Sequence, residues 1–170
     1  MKNIILSICL VTLMASCSNS SESKVAPEKT TENQVGFNYD SSANVDAIKA
    51  TNKDMENLDS NSYKTKYADS VVFYDNGNPM GLKENLGFFK TWISNNIQVK
   101  ITNVDAIWGS KFNFKDGTSG DYVYQYIEVD FTKGTKKVHT HFFQADKFKD
   151  GKIIKEWNFY DPTNLNELMK

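Results

Sequence analysis

The run VHTHFFQADKFKDGKIIKEWNFYD, Val138 to Asp161, decides how the chain folds. Asp150-Gly151 sits between two segments of mixed apolar and polar residues. Both central positions of a tight type I′ turn need φ > 0, so this dipeptide is a strong hairpin signal. As a two-residue turn it pairs Lys149 with Lys152, which sets Phe143 opposite Asn158 and His141 opposite Tyr160. Gly134-Thr135 upstream reads the same way. It pairs Lys133 with Lys136 and places His139 opposite Asp130, His141 opposite Glu128 and Phe143 opposite Tyr126. A single inserted residue would turn every later side chain to the other face.

Alternation then divides the three strands into two faces. One carries Tyr122, Tyr124, Tyr126, Glu128 and Asp130, then His139, His141 and Phe143, then Glu156, Asn158 and Tyr160. The other carries Val123, Ile127, Val129 and Phe131, then Val138, Thr140, Phe142 and Phe148, then Ile153, Trp157 and Phe159. The first face is aromatic and ionisable, and the second is plainly hydrophobic. The expectation is therefore that the first face lines any pocket, while Trp157 and Phe159 belong to a core or a subunit interface.

Upstream of these strands the pattern is helical. Val45, Ile48, Met55 and Leu58 fall near one face at a period of 3.6, with Asn44 as N-cap. Tyr63 to Ala68 reads as a second short helix and Val71 to Tyr74 as a strand. Asp75-Asn76-Gly77-Asn78-Pro79 is turn chemistry. Leu82, Leu86, Phe89 and Ile93 form a third amphipathic repeat, widened by Phe88 and Trp92. Val99 to Trp108 alternates as a strand, with Lys111 to Asp116 a short extension. At the far end Asp161-Pro162 supplies a cap and an N1 proline for a short helix through Leu165 and Leu168. Helices followed by an antiparallel meander define an α+β domain.

Three groups of residues give this pattern a likeness. They are Tyr67-Ala68-Asp69-Ser70-Val71-Val72-Phe73, then Gly81-Leu82-Lys83-Glu84-Asn85, then Asp150-Gly151-Lys152-Ile153 running on to Trp157 and Tyr160-Asp161-Pro162. In order and spacing they resemble the nuclear transport factor 2-like superfamily, and within it the SnoaL-like polyketide cyclase relatives, over about Val45 to Met169. The resemblance implies a cone-shaped α+β barrel, with N-terminal helices packed on a strongly curved, mixed, mostly antiparallel sheet around a pocket. It also implies a homodimer through the sheet and no cofactor. A reaction is not implied, because this fold carries many chemistries. In epoxide-hydrolase and cyclase relatives an acid just after the tryptophan-like position of the last strand points into the pocket, and the matching residue here is Asn158. An Arg-x-Asp pair on the earlier strand corresponds to Glu128 and Asp130. The arginine is missing and the last acid is an amide, so that water-activating set is not intact.

The residues leave an acid–base pair as the chemical candidate, His141 with Glu128. A carboxylate beside an imidazole fixes its tautomer and suits proton abstraction near neutral pH. Tyr126, Asp130, His139, Phe143, Asn158 and Tyr160 are the candidate ligand-binding residues around it. The competing reading is cross-strand ion pairing on a solvent-facing surface, which contributes little to stability. His139-Thr140-His141 shares a face with Glu128 and Asp130, but an H-x-H spacing alone does not establish a metal site, and none is assigned. The reading is of a domain that binds a small apolar molecule. A cofactor-free isomerase, cyclase or hydratase and a structural envelope module are the alternatives.

Composition narrows the partners. The 20 basic residues, all lysine, nearly balance 21 acidic ones, so no nucleic-acid footprint is expected and no arginine clamp can form. Lys2 and the apolar Ile4 to Met14 form a secretory signal too short to span a bilayer, where about 20 residues are needed. The segment ends in Leu13-Met14-Ala15-Ser16-Cys17, which resembles the lipobox of bacterial lipoproteins and implies acylation of Cys17 after removal of residues 1–16. Loss of Cys9 with the signal leaves Cys17 alone, so no intrachain disulfide is possible. Residues 17–43 are polar and aperiodic and read as a disordered tether with a reach of about 30 Å. The domain is expected over residues 44–170, on a membrane-anchored lipoprotein of the bacterial envelope facing the periplasm or the outer membrane.

Overall fold

The computed structural model describes residues 34–169. The signal segment, Cys17 and most of the expected tether lie outside them. Eleven elements follow in chain order: β1 (Gln34–Tyr39), α1 (Ala43–Glu56), α2 (Ser60–Lys64), β2 (Tyr67–Asp75), β3 (Asn78–Gly81), α3 (Leu82–Ser94), β4 (Ile97–Phe114), β5 (Ser119–Lys133), β6 (Lys136–Lys149), β7 (Lys152–Phe159) and α4 (Thr163–Met169). The seven strands make one open, mixed sheet in the order β1-β4-β5-β6-β7-β2-β3. Only the β2–β7 pair is parallel. The helices pack on one face of this curved sheet, which is the α+β cone anticipated from the sequence.

Several boundaries differ from the sequence reading. The ordered domain starts before residue 44, because Gln34–Tyr39 pairs along β4 from Phe114 to Gly109. The polar run before it hid this short edge strand, although Val35, Phe37 and Tyr39 alternate in it. Gly109 is required there, since a side chain at that position would overlap the ring of Tyr39. The cap of α1 is Ser42 rather than Asn44, and its hydroxyl accepts from Val45 N at 3.1 Å. The second helix ends at Lys64, and Tyr67 already belongs to β2. Asn76 and Gly77 both take positive φ, 48° and 87°, and fold Asn78–Gly81 back as β3. Asp161 Oδ1 accepts from Thr163 N at 2.9 Å, but α4 opens at Thr163 and its first helical bond goes from Asn166 N to the Pro162 carbonyl, so the cap position is Pro162 rather than the expected Asp161.

Register settles the faces. β5 and β6 pair without interruption, from Asp121–Phe148 to Lys133–Lys136, with Glu128 opposite His141 and Asp130 opposite His139. Asp150 and Gly151 turn with φ of 51° and 73°, and Lys149–Lys152 and Phe148–Ile153 pair as the turn requires. Then the register slips. Lys147 pairs with Lys155, Asp146 with Glu156, Gln144 with Asn158 and Phe143 with Phe159, leaving Ile154 as an extra residue. This bulge overturns the expected Phe143–Asn158 pairing. It carries Glu156, Asn158 and Tyr160 to the inner face and Trp157 and Phe159 to the outer one.

Two apolar clusters fill the space between helices and sheet. One joins Val45 and Ile48 of α1 to Phe73, Val123, Phe148 and Ile153. The other joins Trp92 and Leu165 to Ile97, Ile127, Val129 and Phe131. Ile93 continues the apolar repeat of α3 in sequence, yet it is 54% exposed, whereas Ile48 is fully buried. Replacing Ile48 by alanine is expected to cost about 2–5 kcal/mol in urea unfolding. Ile93→Ala should change stability by no more than about 0.5 kcal/mol. Equal losses would contradict the packing described.

Candidate functional site

The inner faces of β2, β5, β6 and β7 and the four helices enclose a cavity of about 140 Å³, close to the engineered protein cavity of about 150 Å³ that takes a benzene ring. Much of its wall is aromatic, with Phe73 from β2, Phe88, Phe89 and Trp92 from α3, Phe131 from β5 and Phe142 from β6. The polar part of the wall comes mainly from β2, β6 and β7: Tyr67, Asp75, Gln144, Glu156, Asn158 and Tyr160.

Those polar groups form an ordered network on an otherwise apolar face. Asn52 Nδ2 donates to Gln125 Oε1 at 2.8 Å, and Gln125 Nε2 donates to Gln144 Oε1 at 2.8 Å. Gln144 Nε2 then donates to Asp146 Oδ2 at 2.9 Å. Glu156 accepts from the Tyr67 hydroxyl and from Asn158 Nδ2, both at 2.7 Å. Asp146 and Glu156 are cross-strand neighbours and both are buried. Burial first, and then the Glu156 charge, push the Asp146 carboxyl well above its usual range. Burial also raises Glu156, although the bonds from Tyr67, Asn158 and Asp146 oppose the shift. Asp146 Oδ1 receives no bond from any protein donor. Two adjacent buried carboxyls cannot both ionise cheaply, so burial and mutual repulsion favour the protonated form at this pair.

A second polar station lies beside it. The Tyr160 hydroxyl donates to Asp75 Oδ2 at 3.1 Å. Burial raises the Asp75 carboxyl, and burial together with the Asp75 charge raises the Tyr160 phenol. Asn85 Oδ1 and Trp92 Nε1 are also buried without a protein partner, on two residues of the cavity wall. Such groups call for an explanation, and a bound molecule is one. The site can thus offer a proton donor, an acceptor and phenol hydroxyls to one end of a ring-sized guest.

The residues singled out from sequence divide between two sides of the sheet. Asn158 and Tyr160 stand in the cavity wall. Tyr126, Glu128, Asp130, His139, His141 and Phe143 stand on the opposite, outer face, alternating with the core residues Ile127, Val129 and Phe131. The histidine and glutamate pair therefore does not face the cavity. His139 Nδ1 lies 2.8 Å from Asp130 Oδ1, and His141 Nδ1 lies 3.9 Å from Glu128 Oε1. Lys137 pairs with the other Asp130 oxygen at 2.5 Å, and this bond, with the one from His139, holds the Asp130 carboxyl below its usual range. Trp157 stacks on Tyr74 with ring centres 5.7 Å apart, and Phe159 is half exposed.

Sequence reasoning missed Asp146, Gln144, Gln125, Tyr67 and Asp75 as site residues. One signal was available. Gln125, Gln144 and Asp146 interrupt the apolar face at Val123-x-Gln125-x-Ile127 and Phe142-x-Gln144-x-Asp146-x-Phe148. A polar residue on a core face has to find buried partners, and clusters of them mark a site.

No family model matches this sequence, and no curated protein sequence matches it either. Solved structures do. An LEH-like epoxide hydrolase from M. tuberculosis superposes with a TM-score of 0.53 at 16% identity, over 75% of this chain and 89% of that one. IdmH, a proposed polyketide cyclase from Streptomyces antibioticus, gives 0.54 at 12% identity over 74% and 97%. PrhC from Penicillium brasilianum gives 0.56 at 11% identity over 74% and 85%. The domain thus has the nuclear transport factor 2-like fold shared with SnoaL-like cyclases and that hydrolase. At these identities the likeness is one of fold.

The buried pair sets a pH dependence. A carboxyl whose folded pKa is raised contributes stability below its unfolded value, and that contribution is lost as pH climbs through the folded one. The thermal unfolding midpoint should therefore fall as pH climbs above the ordinary carboxylate range of about 4, and Asp146→Asn, which stays neutral, should flatten that slope. An unchanged slope in the variant would show that Asp146 is not its source.

Proposed function

We propose that this protein binds a compact, largely apolar small molecule in its cone and holds the molecule's polar end at Glu156, Asn158 and Tyr160. The observation that carries the reading is a ring-sized aromatic cavity with the buried Glu156 carboxyl in its wall and Asp146 beside it on the neighbouring strand. Sites of this kind use apolar walls for affinity and a few fixed polar groups for orientation. Asn85 Oδ1 and Trp92 Nε1, buried and unpartnered, support a guest that bears both a donor and an acceptor.

A second reading, a cofactor-free isomerase, cyclase or hydratase, draws on the same carboxyl pair. Glu156 can take a proton at the cavity wall, Asp146 beside it tunes its basicity, and the Tyr160 hydroxyl supplies a hydrogen bond to developing charge. The acid–base role first assigned to His141 and Glu128 passes here to residues on the other face. The small volume favours a single-ring substrate, since a fused polycyclic skeleton would protrude from the cone.

Ring-sized probes such as phenol and cyclohexanone, titrated by NMR, should shift cavity resonances. Glu156→Gln should weaken them by about tenfold, the equivalent of about 1.4 kcal/mol. Native mass spectrometry of protein purified from its own host should retain one small molecule per chain. Absence of both signals would leave a structural module. A pH-dependent turnover that Asp146→Asn abolishes while probe binding persists would decide for the enzyme.

The address is part of the proposal. The lipobox-like Leu13 to Cys17 supports a lipid anchor on the bacterial envelope, with the domain held off the membrane by the residues that follow. Radioactive palmitate should label the wild-type chain and not Cys17→Ala, and unlabelled protein in the medium would overturn the anchor. A second copy packed through the outer sheet face is the protein partner proposed. Support comes from Tyr126, Phe143 and Phe159, apolar rings exposed on that face.

A further inference from the structure

On the outer face, away from the cavity, the sheet brings together the ingredients of a metal centre. His139 and His141 are two residues apart on β6, so both project to the same side. Glu128 lies directly opposite His141 on β5, and Asp130 directly opposite His139. One ring nitrogen from each histidine and one Glu128 oxygen all lie within 4.8 Å of one another. The ladder between β5 and β6 is regular throughout, so the Cα positions that carry these groups are rigid.

The surroundings are arranged as a ligating histidine needs. His139 Nδ1 lies 2.8 Å from Asp130 Oδ1, and a proton held on Nδ1 by that carboxylate would leave Nε2 to act as the ligand atom. That Nε2 already points at Glu128, 3.4 Å from Oε2. A carboxylate behind the imidazole orients the ring and raises its basicity as a ligand. Asp130 is itself held, since its second oxygen pairs with Lys137 at 2.5 Å and only 8% of its side chain is exposed. Asp130 thus acts behind the first ligand, and Glu128, His139 and His141 are the ligands.

We propose that Glu128, His139 and His141 bind one borderline first-row divalent cation of the Zn²⁺ type, with Asp130 as the orienting carboxylate. Two imidazoles and one carboxylate suit Zn²⁺, Co²⁺ or Ni²⁺ rather than Mg²⁺ or Ca²⁺, which take all-oxygen sets. Bonds of about 2.0–2.2 Å separate tetrahedral ligand atoms by about 3.4 Å, so small rotations of the exposed side chains close the site. The remaining positions are open to water or to a group from another molecule. Unlike the cone, this site requires no apolar guest, and it stands or falls separately from the binding proposed for the cavity.

The test uses the untagged chain, stripped with chelator and titrated with Zn²⁺ by calorimetry at neutral pH, and with Co²⁺ by visible absorption. One equivalent of Zn²⁺ and a cobalt d–d spectrum of four- or five-coordinate type are expected, with no heat from Mg²⁺. His141→Gln and Glu128→Gln should each weaken Zn²⁺ at least tenfold, and the His139→Gln/His141→Gln double variant should abolish it. Asp130→Asn should weaken it about 10- to 100-fold, as loss of an orienting group does. Glu128, His139 and His141 are part-exposed and lie outside the core clusters, so their metal-free variants should unfold at nearly the wild-type temperature, which separates lost ligation from lost folding. Zinc uptake undiminished in the double variant, or none in the wild type, would overturn the proposal.

Discussion

One inserted residue governs what this sheet presents to its interior. Had β7 run on from the Asp150-Gly151 turn without interruption, Lys155 and Trp157 would face the core, and Glu156 and Asn158 would face outward. Ile154 breaks the alternation after Ile153, so Ile153 and Glu156 both point inward and Lys155 is turned away. The parallel partner follows the same choice. Phe73 pairs with Glu156 and Asp75 with Asn158, which brings an aromatic wall and a carboxyl of β2 beside the polar groups of β7. A bulge of this sort re-aims side chains locally while the rest of the ladder stays intact.

Placing two carboxyls side by side in a core is costly, and the structure offsets that cost with hydrogen bonds rather than with a cation. No lysine approaches Asp146 or Glu156 among the described ion pairs. Amides and a phenol serve instead, from Asn52 through Gln125 and Gln144 to Asp146, and from Tyr67 and Asn158 to Glu156. Neutral donors can stabilise one negative charge and still leave the other carboxyl protonated. The raised carboxyls are therefore a consequence of burial among neutral partners, and Glu156 gives an otherwise greasy cone its chemical character.

The two faces of the same strands thus carry different chemistry. Inside, titratable groups are buried and neutral or singly charged within an aromatic enclosure. Outside, Glu128, Asp130, His139, His141 and Lys137 form an ionic cluster in contact with water. The period of two in a strand makes this division possible, since each alternate residue is free to answer to a different environment.

Much of this arrangement follows from local sequence. Asp150-Gly151, Asn76-Gly77 and Gly134 specify turns because few other residues tolerate their positive φ, and the helical repeats of α1 and α3 announce themselves by period. The pairing of Glu128 with His141 and of Asp130 with His139 was legible for the same reason, since an unbroken two-residue hairpin leaves the register no choice. Three features were decided only in the folded chain. The bulge at Ile154 has no distinctive residue, because β-branched Ile153 and Ile154 fit either face and only packing against β2 and β6 selects one. The strand Gln34–Tyr39 alternates Val35, Phe37 and Tyr39 with Gln34, Gly36 and Asn38, but it is short, follows a polar run and depends on the edge of β4 for its bonds. The carboxyl pair joins residues ten apart across a hairpin, and its raised pKa arises from a burial that no local pattern encodes.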